Sequence, residues 1–140
     1  MKIINTSSGT LYASPFPEPE DLENKYFDII WNLTAEFKDY VEVEKKYADL
    51  VLCANILDYS APTDVSLYFT QLNMVLDALR QNKKVLVHCL GGHGRTGMTI
   101  AFIKYYLDNI KMNDAIKFAK TNCKGPEVLE QVIFLKKHSQ

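Results

Sequence analysis

Glycine is scarce in this sequence of 140 residues, six in all, and four of the six fall between positions 91 and 97. Such crowding in an otherwise glycine-poor chain marks one loop where backbone freedom is needed. Proline is as rare, five residues, three of them in P-F-P-E-P (15–19). No Pro/Gly-rich linker, low-complexity tract or internal repeat divides the chain, so one domain over residues 1–140 is expected. The three cysteines, Cys53, Cys89 and Cys123, are too few and too scattered for a disulfide framework and are expected to be free thiols. No apolar run approaches bilayer-spanning length. The start, M-K-I-I-N-T-S-S-G-T, lacks the apolar stretch of a secretory signal. A cytoplasmic location with no membrane partner is the expectation. The net charge is only −1, which argues against a general nucleic-acid binder, and nucleic acid is not expected as a partner.

What the chain does contain is 47% hydrophobic and 24% charged residues, the balance of a soluble globular protein. K-I-I-N and T-L-Y-A-S around S-S-G predict two short strands joined by a turn. P-F-P-E-P-E-D is a loop leading to a short acidic helix start. F-D-I-I-W-N-L (27–33) and A-D-L-V-L-C-A-N-I-L (48–57) predict strands, the second apolar on both faces and therefore central. The polar segment between them is expected to be partly helical. Tyr68, Leu72, Val75, Leu76 and Leu79 fall on one helical face. K-K-V-L-V-H (83–88) is a further buried strand, and M-T-I-A-F-I-K-Y-Y-L (98–107), apolar nearly all round, a central helix. Met112, Ile116, Ala119 and Cys123, then Leu129, Val132, Ile133 and Lys136, mark two more helices, split by Gly125-Pro126. Strands alternating with helices predict an α/β domain: a central, mostly parallel sheet flanked by helices.

Charge is unevenly spread. Residues 1–64 hold 5 Lys/Arg against 12 Asp/Glu, and residues 65–140 hold 11 against 5. Lysine-rich solvated helix faces account for most of this. The basic half also carries the glycine cluster, where an anionic ligand would be favoured.

That cluster lies in V-L-V-H-C-L-G-G-H-G-R-T-G (85–97). Gly92 to Gly97 fit the spacing of a dinucleotide fingerprint, yet the second strand and the acidic residue that should end it are missing; Asp108 and Asp114 stand in helical or loop context. Gly92 and Gly97 also have mononucleotide-loop spacing with Thr99 at the hydroxyl position, but Met98 replaces the lysine that contacts the outer phosphates. His88, Cys89 and His93 lack a second ligand pair for a metal. Neither metal nor cofactor is expected. If Cys89 were merely a small buried hydrophobe ending a strand, the glycines, Arg95 and Thr96 would be left unexplained. The remaining reading employs them all. Cys89 and Arg95, as C-x5-R, stand between a strand end and a helix start. A glycine-rich turn can point successive N–H groups into an oxyanion nest, the helix N-terminus adds partial positive charge, and Arg95 offers a planar fork for two oxygens. A cysteine there is expected as thiolate, the nucleophilic form.

H-C-L-G-G-H-G-R-T-G resembles the signature H-C-x-x-G-x-x-R-[ST]-G of the cysteine-dependent protein tyrosine phosphatase superfamily, matching at His88, Cys89, Gly92, Arg95, Thr96 and Gly97. I-L-D-Y-S-A-P-T-D (56–64) resembles the general-acid loop of its compact dual-specificity branch. The tyrosine-containing loop of the classical, longer domains is missing. The resemblance is to small atypical dual-specificity enzymes, including kinase-associated phosphatases with an H-C-x-G-G-x-G-R loop. It implies a phosphatase-like fold and a phosphorylated protein as substrate. It also implies catalytic roles for Cys89, Arg95, Asp58 and Thr96, and phosphate binding by Leu90, Gly91, Gly92, His93, Gly94 and Arg95. His88 would support the loop from behind. Gln131 is a candidate to place the attacking water, or else a surface residue. Asp64 rivals Asp58 as the acid, though its place at a helix start suits a dipole-complementing role. Cys53 could trap an oxidised Cys89 as a disulfide, as a second cysteine does in some relatives; buried packing is its other reading. Alternatives to a phosphoprotein phosphatase are an RNA 5′-triphosphate or phosphoinositide phosphatase, and a catalytically silent phosphate-binding module.

Overall fold

The computed structural model describes residues 1–139. Its strands are β1 (Lys2–Ile4), β2 (Thr10–Ser14), β3 (Phe27–Thr34), β4 (Ala48–Ile56) and β5 (Lys84–His88). They form one sheet in the order β1-β2-β5-β3-β4. β1 pairs antiparallel with β2, and every other pairing is parallel. The mostly parallel sheet expected from the alternating pattern is therefore present. β5 occupies its centre, and Val85, Leu86 and Val87 are fully buried. A strand covered on both faces carries an unbroken apolar run of this kind.

Four helices, α3 (Val65–Arg80), α4 (Gly94–Leu107), α5 (Met112–Cys123) and α6 (Leu129–Lys137), pack with one face of the sheet into the larger core. Short pieces cover the other face: α1 (Pro19–Leu22), a 3₁₀ turn (Lys38–Tyr40) and α2 (Val41–Glu44). All five residues expected on the buried face of α3 are buried. That helix is capped by Asp64, whose carboxylate accepts from Leu67 N at 3.0 Å, an arrangement that stabilises by about 1 kcal/mol. No helix among the described residues is long and apolar enough to cross a membrane.

Two expectations are corrected. β4 is an edge strand, not a central one. Leu52, Ala54 and Ile56 face the large core, whereas Asp49, Leu50 and Asn55 are exposed and Val51 and Cys53 half-covered. The interior strand between β5 and β4 is β3, which buries seven of its eight residues. In α6 the buried set is Gln131, Phe134 and Leu135, while Leu129 and Ile133 are 73% and 56% exposed. The helix is rotated because Phe134 inserts among Tyr68, Phe69 and Phe102, burying a ring larger than either exposed aliphatic.

Candidate active site

Cys89 follows β5 directly, at the carboxyl end of the central strand, where parallel α/β sheets place their ligands. The chain then turns through residues 90–93 and enters α4 at Gly94, so Arg95, Thr96 and Gly97 form its first turn. Gly92 has φ +76°, and a Cβ there would stand 2.8 Å from Pro15 N. Both conditions call for glycine. The Leu90 carbonyl accepts from Phe16 N at 2.8 Å and the His93 carbonyl from Gly97 N at 2.6 Å. Those two carbonyls are thereby engaged, and an anion in a glycine-rich turn of this kind is held by backbone N–H groups.

Cys89 is buried, and Thr96 Oγ1 donates to its sulfur at 3.0 Å. Arg95 is 1% exposed. Its two terminal nitrogens donate to Glu36, Nη1 to Oε1 at 2.6 Å and Nη2 to Oε2 at 2.8 Å, and Nη1 also donates to the Ile56 carbonyl at 2.8 Å. Asp58 Oδ1 lies 3.4 Å from Nη2. Among the described residues Arg95 Nε is buried with no hydrogen-bond partner. Burial pulls the guanidinium pKa down, but the Glu36 hydrogen bond and the nearby Cys89, Glu36 and Asp58 charges outweigh it, leaving the pKa above its ordinary value. The same hydrogen bond holds Glu36 below its usual 4.5 despite partial burial.

The loop after β4 brings Asp58 to the arginine, with its carboxylate also accepting from Tyr59 N at 3.0 Å. Asp64 is engaged as the α3 cap. Gln131 is fully buried, not at the surface: it accepts from Glu127 N at 2.9 Å and donates to the Ser60 carbonyl at 3.2 Å, tying α6 to the Asp58 loop. A Cβ on Gly94 would stand 2.7 Å from Glu127 Oε1 and 3.1 Å from Gln131 Nε2, so α6 closes directly over the loop. His93 is half-buried and precedes α4 without a capping bond. His88 is fully buried, its Nε2 2.6 Å from Glu44 Oε2.

The Cys53–Cys89 disulfide is not compatible with this arrangement. Cys53 is in register with Asn32, and Asn32 with His88, so Cys53 shares the His88 face two strands away. Cys89 belongs to the core on the opposite face. Thiols directed to opposite faces cannot be bridged without backbone movement. Burial also pushes the Cys53 thiol up.

Sequence reasoning missed Glu36 and Glu44. Glu36 lies two residues beyond the carboxyl end of β3, and a charged residue at such an end is the signal that could have found it.

Residues 11–137 match the family model of the dual specificity phosphatase catalytic domain. The chain is 27% identical to the active form of Tk-PTP, with a TM-score of 0.78 over 94% of this chain and 90% of that one. It is 30% identical over 83 residues, 57% of its length, to 197R of Invertebrate iridescent virus 6, named as a candidate tyrosine phosphatase. It is 32% identical over 91 residues, 64% of its length, to the phosphatidylinositol 3,4,5-trisphosphate 3-phosphatase cnrN of Dictyostelium discoideum. These two matches span 30% and 14% of the respective proteins, so the chain accounts for less than a third of either.

Proposed function

Since the chain belongs to the dual specificity phosphatase family through its catalytic domain, we propose that residues 1–140 form one phosphatase domain. It hydrolyses phosphotyrosine, and phosphoserine or phosphothreonine with it, through a phosphocysteine intermediate. In the first step the Cys89 thiolate attacks phosphorus, an S–P bond forms, the P–O bond to the substrate breaks, and Asp58 gives its proton to the departing oxygen. In the second, water attacks phosphorus, Asp58 takes its proton, and the sulfur leaves with inorganic phosphate as the product. The Thr96 hydroxyl, 3.0 Å from that sulfur, stabilises it as a leaving thiolate. Gln131 places the water from its position against the Asp58 loop. Arg95 and the N–H groups of residues 90–95 hold the equatorial oxygens, whose charge must be stabilised as bonds change.

The observation that carries this reading is the orphaned Arg95 Nε. A buried donor without a partner costs about 1–3 kcal/mol, and an oxyanion in the bowl would supply that partner. Exposed Leu57 and Tyr59 on either side of Asp58, and Leu90 beside Cys89, give the rim an apolar lining suited to an aromatic ring. A phosphoinositide substrate, as named for cnrN, is less well served. Leu90, Gly91, Gly92, His93 and Gly94 supply no lysine, and Glu36, Asp58 and Glu127 surround the loop with negative charge. A silent phosphate binder would need neither Cys89 nor Asp58.

The deciding experiment is p-nitrophenyl phosphate turnover across pH by wild type, Cys89→Ser and Asp58→Asn. Loss of all turnover is expected for the first. For the second, a fall of roughly 10²–10⁴-fold is expected. Equal rates in all three proteins would dismiss the mechanism.

A further inference from the structure

The bowl stands between two walls of opposite charge. On the β1–β2 side, Lys2 and Lys124 line a cavity of about 220 Å³ together with Pro15, Gly91, Gly92 and His93. On the β3–β4 side stand carboxylates. Glu36 is committed to Arg95 through both of its oxygens, and Asp58 lies 3.4 Å from the same guanidinium. Glu127 completes this wall, and the proposed chemistry does not use it. Its N–H donates to the fully buried Gln131, whose amide in turn donates to the Ser60 carbonyl in the Asp58 loop. Its carboxylate lies against the first residue of α4, with Oε1 only 2.7 Å from where a Cβ on Gly94 would stand. Glu127 is nevertheless exposed, and among the described residues no ion pair engages it. Lys38, the cation two residues after Glu36, lines a separate cavity with Asp39 and Glu42.

We propose that Glu127 is a specificity-determining residue: its carboxylate selects phosphotyrosine segments that carry a lysine or arginine beside the phosphorylated residue, on the α6 side of the bowl. The role rests on the phosphatase reading of the site. A phosphoryl group held at Arg95 brings the flanking residues of its peptide across the loop rim, where a cation finds an anion without a partner. A glutamate at the same position meets like charge instead. Repulsion between Glu127 and the reacting phosphoryl group is common to every substrate, so it sets overall affinity and not choice. Placement matters as much as sign. An exposed ion pair loses much of its value to the entropy of holding two long side chains in one geometry. Here one partner is ordered in advance, its backbone tied to Gln131 and its carboxylate seated at Gly94. Lys2 and Lys124 line the cavity on the opposite side of β5, and Lys2 Nζ already donates to the Asn122 carbonyl at 2.8 Å.

The test is phosphate release from synthetic phosphotyrosine peptides, identical except for a lysine or a glutamate at one position, from two before the phosphotyrosine to two after it. At low salt, wild type should favour lysine over glutamate in kcat/KM by roughly tenfold at one position or more, each unit charge contributing about threefold. Glu127→Gln should cut that ratio about threefold and Glu127→Lys should bring it to unity or below. The kcat for p-nitrophenyl phosphate, which has no flanking residue, should stay near the wild-type value in both. Raising the ionic strength to about 0.5 M should shrink the wild-type ratio, because the Debye length falls to roughly 4 Å. A wild type indifferent to the flanking charge at every position overturns the proposal whether or not the variants fold. So does a lysine preference that survives in folded Glu127→Lys or resists salt. Normal p-nitrophenyl phosphate turnover with indifferent ratios removes this role alone; no turnover by wild type removes the phosphatase reading and this role with it.

Discussion

Arg95 meets Glu36 across 59 residues of sequence, and the pair is bidentate. The geometry leaves the guanidinium plane little freedom before substrate arrives, while Nε remains available. Glu36→Gln keeps one oxygen acceptor and turns an amide donor against the second terminal nitrogen. Loss of a charge-assisted bond of this kind costs about 1.5–3 kcal/mol, so kcat/KM for p-nitrophenyl phosphate should fall roughly 10- to 150-fold; wild-type kinetics in Glu36→Gln would remove the glutamate from the site. Residues acting within one short segment were legible in the sequence. Cys89, Arg95 and Thr96 share a strand end and the first turn of a helix, and local spacing reports their geometry. Glu36 and Glu44 were not legible, because their roles depend on strand order. Nothing in the local pattern around either predicts that β3 lies beside β5.

At the scale of elements, composition told helix from strand well and told orientation poorly. β4 carries the same aliphatic residues a central strand would, so its edge position follows from the topology rather than from periodicity. α6 is a sharper case: Leu129 and Ile133 satisfy the apolar spacing, but the aromatic cluster around Tyr68 claims Phe134 and turns them outward. Urea unfolding can separate the two faces. Phe134→Ala should lose about 3–5 kcal/mol, whereas Ile133→Ala should stay within about 0.5 kcal/mol of wild type. A comparable loss in both would mean that the helix packs in the orientation its spacing alone suggests.

For the molecule as a whole, acid should be destabilising through identifiable carboxylates. Glu36 is held below its usual 4.5 by the Arg95 hydrogen bond, opposed by partial burial. Asp108 is also lowered from 3.8: burial acts upward, but hydrogen bonds from Lys104 and Ser7 prevail. Both groups have folded pKa values beneath the unfolded ones, so the unfolded chain binds protons first as pH drops. Their stabilisation is complete above about pH 5 and is lost progressively below 4.5 as pH falls through the folded values. Thermal melts should therefore give a level Tm between pH 5 and 7 and a declining one in acid, with a shallower decline for Asp108→Asn. A Tm that rose below pH 4.5 would contradict the assignment.

The ties on Arg95 have a consequence for heat. They run from α4 to the residues just past β3 and to the last residue of β4, while the loop itself springs from β5 in the middle of the sheet. The presumptive weak point of many enzymes, a working part that loosens before the rest, has no counterpart in such stitching. Trp31, the lone tryptophan, is fully buried on β3 and bonded to Gln71 at 2.8 Å, and its emission reports when the sheet opens. Warming should extinguish turnover and redden that emission in one step; activity vanishing several degrees earlier would mean the seam gives way first.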